Sequence, residues 1–197
     1  MVPDLWITRL WGAGSGTLLG MVAQTDGFEL DLRRPFGRAD ARRAGIPVKQ
    51  LRSARFRRLF YDVYVGADLP VTPMVLASVV LGLSPVGSYA SRHTAARIWG
   101  GIVPDQPLTH VSSPHGGWRS KRQGVRGHES PSGSDVVSFA GLRVSSPAQT
   151  FIDLAGELTL VDLVVLGDSL VTARRIRPAQ LVEATLGWKG KGGRAGC

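Results

Sequence analysis

Cysteine is nearly absent from this 197-residue chain, and the single one, Cys197, is its last residue. One thiol can neither close a disulfide within the chain nor build a thiolate metal cluster, which fits a reducing compartment. Lysine is scarce as well, confined to Lys49, Lys121, Lys189 and Lys191. A restriction-type nuclease needs an acidic residue two places before its catalytic lysine, to hold a metal at the scissile phosphate. The residues at that offset are Pro47, Arg119, Gly187 and Lys189, and none is acidic. That nuclease chemistry is excluded. His93, His110, His115 and His128 show no paired metal-ligand spacing, and no Gly-x-Ser-x-Gly elbow lies between a strand and a helix. No catalytic residue, metal or cofactor is therefore expected. No apolar run is long enough to cross a bilayer. The stretch from Leu5 to Val22 is broken by Arg9, Gly12, Gly14, Gly16 and Gly20, and lacks the positive start of a secretory signal. A cytoplasmic protein with no membrane partner is expected.

What is present is a core-forming hydrophobic fraction of 43%, turn-forming residues (25 glycines and 12 prolines) and a net charge of +9. The charge is concentrated. Between residues 33 and 58 lie Arg33, Arg34, Arg38, Arg42, Arg43, Lys49, Arg52, Arg55, Arg57 and Arg58, against Asp40 alone. This window accounts for the whole excess, and arginine supplies nine of its ten cations. Arginine's planar fork suits phosphates and guanine edges, so the pattern points to a polyanionic partner. A solvated basic face without a partner is the alternative.

The chain divides into an N-terminal extension over 1–34, a basic region over 35–66, an α/β region over 67–186 and a basic tail over 187–197. In the extension, 18–24 predicts a short apolar helix and Asp26-Gly27 a turn. The run Gly12 to Thr17 lacks the strand and lysine of a phosphate-binding loop. In the basic region, Arg38 to Ala44 predicts a helix ended by Gly45-Ile46-Pro47. Val48 to Ala54 predicts a second helix with Val48 and Leu51 turned inward. Phe56 to Phe60 and Val63 to Gly66, around Tyr61-Asp62, predict a β-hairpin. Helix, tight turn, helix and basic hairpin is the order of a winged helix-turn-helix. The later region predicts helices over 74–83, 91–99, 148–155, 160–171 and 178–186. Strands are predicted over 108–112, 124–129, 136–139 and 142–144, and Ser146 is expected to N-cap the helix that Pro147 opens. Asp153 is expected to make a buried structural hydrogen bond, and His93 to serve in packing or hydrogen bonding.

Three stretches resemble a known family. They are Pro35-Phe36 … Ala44-Gly45-Ile46 … Gln50-Leu51-Arg52 … Arg57-Arg58-Leu59-Phe60 … Val63-Tyr64-Val65; Ser91-Arg92-His93-Thr94-Ala95-Ala96 … Trp99-Gly100; and Gly141 to Ala155. Their order and spacing are similar to those of AbiEi-type antitoxin-like proteins over about residues 35 to 186. The resemblance implies an α+β chain: a small winged helix-turn-helix that binds double-stranded promoter DNA and represses its operon, then a mixed α/β antitoxin-like domain. It further implies that the second domain counters a nucleotidyltransferase-like toxin without a stable complex. Many relatives carry an additional very-short-patch-repair-like endonuclease domain, which the residues here do not include. On this reading Lys49, Gln50, Arg52 and Ser53 address base edges and phosphates from the second helix. Arg55, Arg57 and Arg58 clamp the backbone from the wing, with Arg38, Arg42 and Arg43 alongside. The loop Trp118-Arg119-Ser120-Lys121-Arg122 offers Arg119, Lys121 and Arg122 as a second nucleic-acid contact, with a solvated loop as the alternative. Two other functions remain open: a protein-interaction module that uses the basic segment only for docking, and a non-catalytic N-terminal part of a larger endonuclease-like protein.

Overall fold

The computed structural model describes residues 22–25, 28–114, 120 and 122–187. Strands β1 (Val22–Thr25) and β2 (Phe28–Asp31) pair antiparallel, with Thr25 opposite Phe28. The helix expected over 18–24 is thus corrected where it can be seen, since Val22 to Gln24 belong to β1. Pairing with β2 satisfies backbone groups that so short a helix would leave open. The remainder of that helix, and the Asp26-Gly27 turn, fall outside the described residues.

Helix α1 (Arg38–Arg43) begins where the Asp40 carboxylate accepts from the backbone N–H of Gly37 at 2.9 Å. It ends as the glycine predicted: Gly45 takes a positive φ of 70°. Gly45 N–H then donates to the Arg42 carbonyl at 3.0 Å and Ile46 N–H to that of Ala41 at 2.8 Å. This double closure needs the left-handed residue that glycine supplies. The second helix of the expected motif is the main correction. In place of two α-helical turns over 48–54 there is a single 3₁₀ turn, Gln50–Arg52. Leu51 is its one buried side chain, while Val48, expected inside, is 41% exposed. A single anchor cannot hold two helical turns, and Ser53 already runs extended toward Phe56.

Strands β3 (Phe56–Phe60) and β4 (Val63–Gly66) form the expected hairpin, with a register shift between Arg58 and Phe60. Phe56 meets Phe36 edge-on at 5.9 Å, and Tyr64 stacks on Phe36 at 6.3 Å. Leu30, Leu32, Ala41, Ala44, Ile46 and Leu51 complete this small core, so residues upstream of 35 contribute to it.

The larger region contains α2 (Pro73–Gly82), β5 (Tyr89–Ala90), α3 (Arg92–Ile98), β6 (Thr109–Ser113), β7 (Val125–Glu129), β8 (Val136–Phe139), β9 (Leu142–Ser145), α4 (Pro147–Ala155), α5 (Leu160–Thr172) and α6 (Pro178–Gly187). The sheet runs β7-β6-β5-β9-β8 and is mixed: β5 pairs antiparallel with β6 and parallel with β9. Six helices and these sheets make the chain α+β among the described residues. Its central strand, β5, was missed by sequence reasoning, since two residues carry no periodicity.

Side-chain caps mark three of the six described helix starts. Thr72 accepts from Val75 N–H at 3.3 Å, Ser146 from Gln149 N–H at 3.1 Å and Thr159 from Asp162 N–H at 3.2 Å. The main core joins α3, α4 and α5 to the centre of the sheet through Ala90, Ala95, Trp99, Val144, Leu154, Leu166 and Leu170. A Cβ on Gly101 would lie 2.7 Å from Leu166 Cδ1 and 3.0 Å from the Ala96 carbonyl oxygen, a close approach to backbone that favours glycine. A third cluster ties the basic hairpin to the larger region: Phe60 and Val63 pack with Val79 and Val80 of α2, Val111 of β6 and Val125 of β7.

Candidate nucleic-acid interface

Alternation along β3 buries Phe56 and exposes Arg57, and the register shift between Arg58 and Phe60 leaves Arg58 outside as well while Phe60 returns inside. Helix α1 buries Ala41 and exposes Arg42 and Arg43, while the 3₁₀ turn buries Leu51 and exposes Gln50 and Arg52. Apolar anchoring of three adjacent elements therefore turns one arginine-rich set outward.

The cations are not equivalent. Three carboxylates occupy the same surface, two of them beyond the ends of the basic window in sequence. Arg34 pairs with Asp31 at 3.2 Å, Arg43 with Asp40 at 2.6 Å, and Arg38 with Asp62 across the hairpin turn. Asp62, then Tyr61, holds the Arg38 guanidinium above its ordinary value. Arg57 donates to the Ala67 carbonyl at 3.4 Å, and Arg55 lies 5.9 Å from the Phe56 ring. Arg42, Lys49 and Arg52 are exposed and have no side-chain partner among the described residues. Gln50 and Ser53 are exposed as well. Lys49, Gln50, Arg52 and Ser53 do share one surface, but they sit around one 3₁₀ turn, not along a helix of groove-reading length.

Of the second basic loop, Arg119 and Lys121 fall outside the described residues. Arg122 is described, and its Nη1 donates to the Tyr61 carbonyl at 3.1 Å. Val125 of the same segment packs with Phe60, and a Cβ on Gly124 would lie 3.5 Å from that ring. Two basic segments some 60 positions apart in sequence thus meet at the hairpin tip.

The histidines also converge, which sequence spacing did not show. His93 of α3, His110 of β6 and His128 of β7 form a row with centroid separations of 5.1 Å at each step. His128 Nε2 lies 3.0 Å from His110 Nδ1, and His110 Nε2 lies 3.1 Å from Gln106 Oε1. Burial, then His93 and Arg126, pushes His110 down to about 4. Burial, then Arg92 and His110, pushes His128 to about 3. Burial lowers His93, whose Nδ1 is enclosed without a hydrogen-bond partner, 4.0 Å from Glu157 Oε2. The row is neutral near pH 7 and acts as packed interior, in which His110 and His128 are hydrogen-bonded. The signal was the parallel β6–β7 register, which sets Ser112 opposite His128 and is invisible in linear spacing.

A cleft of about 500 Å³ lies among Arg92, Ser134, Gln149 and Asp153. Arg92 carries a left-handed φ of 50°, donates to the Asp153 carbonyl at 3.2 Å and pairs with Glu157. Asp153, half-buried, accepts from Gln149 Nε2 at 2.7 Å, and burial raises its carboxyl above the ordinary value. Every polar group in this set already has a partner within the fold.

No known protein family's profile matches the chain, and no curated relative aligns with it. Among the described residues no helix is long and apolar enough to cross a membrane.

Proposed function

We propose that the chain is a non-enzymatic, cytoplasmic regulator that binds double-stranded DNA, of the AbiEi antitoxin-like type. Residues 28–66 would serve as a reduced winged helix-turn-helix that represses the chain's own operon. The larger α/β region would counter a nucleotidyltransferase-like toxin without a stable complex. The observation that carries the DNA-binding reading is the shared outward surface of α1, the 3₁₀ turn and β3. It bears Arg42, Lys49, Arg52 and Arg57, and the nearby Arg122 extends it. Exposed arginines around a hairpin suit phosphate contacts, which supply most of non-specific affinity. The shortened second helix shifts the expected balance toward backbone contacts and away from base reading.

Salt titration of duplex binding tests the reading. Affinity should fall linearly on log–log axes, with roughly 0.9 of slope for each phosphate neutralised. A flat response would refute it. A second reading, a protein-interaction module, draws on one specific observation. Leu160, Val161 and Val164 on α5, and Val182 and Leu186 on α6, are each more than half exposed, and exposed apolar groups of this kind accompany interaction surfaces.

A further inference from the structure

Tyr61 sits at the tip of the β3–β4 hairpin and is 67% exposed. The Arg38 guanidinium lies 5.3 Å from its ring centroid and that of Arg58 5.4 Å. Arg122 reaches the same residue from the larger region and donates to its carbonyl at 3.1 Å. Three cations from three separate segments therefore gather about one residue. Such a gathering is self-repelling unless something holds it.

Among the described residues each guanidinium makes one hydrogen bond to the fold through a single nitrogen, and the Tyr61 side chain adds to the hold on Arg38. Arg38 uses Nε toward Asp62, Arg58 uses Nε toward the Phe60 carbonyl at 3.1 Å, and Arg122 uses Nη1 toward Tyr61. An arginine has five N–H donors, so each retains several after its anchoring bond. The aromatic ring attracts both neighbouring guanidiniums through its quadrupole. Among the described residues only Asp62 offsets the three charges by direct pairing at the tip.

We propose that Arg38, Arg58 and Arg122 form a phosphate clamp at the hairpin tip for adjacent backbone phosphates of duplex DNA, with Tyr61 as its positioning residue. This rests on the DNA-binding reading above and adds to it a contact built jointly by the two regions. The anionic phosphodiesters along a backbone accept charge-assisted hydrogen bonds from the guanidinium N–H groups that remain. The neighbouring Arg42, Lys49 and Arg52 continue the positive surface, which suits a polymeric anion better than a single free one. The ring itself need touch no nucleotide.

Fluorescence anisotropy with a labelled duplex across a salt series tests the clamp. Tyr61→Leu should weaken binding about tenfold through two lost cation–π contacts. It should also lower the log–log salt slope by about one to two phosphates' worth. Tyr61→Phe keeps the ring and should stay within about twofold of the wild type. Arg122→Ala should lower the slope by roughly 0.9. All three should melt as the wild type does. Wild-type slope and affinity in Tyr61→Leu, or equal losses in Tyr61→Phe and Tyr61→Leu, would overturn the clamp while the DNA-binding reading stands. A wild type that binds no duplex refutes that reading itself. A melting temperature lowered in Tyr61→Leu but not in Tyr61→Phe would show the ring to be structural, which also overturns the proposal.

Discussion

The basic region and the sheet-and-helix region treat polar side chains in opposite ways. In residues 28–66 the interior is entirely apolar or aromatic, from Leu30 to Tyr64, and charge is turned outward on short elements. In the larger region polar groups go inside: Ser91, His93, Thr94, His110, Ser112, Ser145 and Thr150 are all buried. Most of these are bonded to one another or to backbone. Ser112 donates to Ser91 at 2.8 Å, His110 N–H to Thr94 at 2.7 Å, and Ser145 meets Thr150 at 3.0 Å. Buried polar groups that are partnered in this way make packing specific, and His93 Nδ1 is an exception among them. The difference teaches that the first region invests its chemistry in a surface, and the second in a fixed interior.

That contrast has other consequences for the resembling motifs. Trp99 donates from Nε1 to the Ser145 carbonyl at 2.8 Å, and Ser146 caps α4. The stretches Ser91 to Gly100 and Gly141 to Ala155 thus hold the core together. They need no catalytic role to explain their residue types.

The sharpest break between the regions should come from Leu166→Ala, which empties a fully buried site in the main core. A loss of about 2–5 kcal/mol is expected in urea unfolding. DNA binding by the fraction still folded should keep the wild-type salt slope. A loss below about 1 kcal/mol would show that this core is less tightly packed than its burial implies.

Acid should divide the regions next. The unfolded chain protonates its histidines near the ordinary 6.5, whereas folded His110 resists until about 4. The unfolded state therefore binds more protons in that interval, so stability present above 6.5 is lost as pH falls through it. His110 alone should contribute a slope of up to about 1.4 kcal/mol per pH unit, with His128 acting in the same direction. Urea midpoints between pH 7.5 and 5 measure this, and a flat profile would contradict it. No histidine lies in residues 28–66, so the intrinsic salt slope of DNA binding should stay constant over the same range.

The smallest stability effects should accompany Arg52→Ala and Arg57→Ala. Both side chains are exposed, so unfolding free energy should move by no more than about 0.5 kcal/mol. The salt slope should nevertheless fall by roughly 0.9 for each cation that meets a phosphate. Comparable losses of stability and binding would blur the division between surface and interior.

Punctuation and periodicity in the chain settled a good deal. Gly45 and Ser146-Pro147 mark helix ends by local sterics and capping, and the alternation around Tyr61-Asp62 marks a hairpin. Those signals are local, so residue order alone carries them. The concentration of arginine between 33 and 58 was equally plain from residue order. Three things were decided only by the tertiary fold. The 3₁₀ turn at Gln50–Arg52 replaced a helix because the drawing of Phe56 into the Phe36 core outweighs a weakly anchored helical stretch. Asp62 met Arg38, and Arg122 joined the tip of the basic surface, because hairpin and sheet packing brought distant segments together. The histidine row arose because the parallel register of β6 and β7, beneath α3, aligned side chains 17 and 18 positions apart. Each depends on contacts between segments far apart in the chain, and such contacts leave no trace in local spacing.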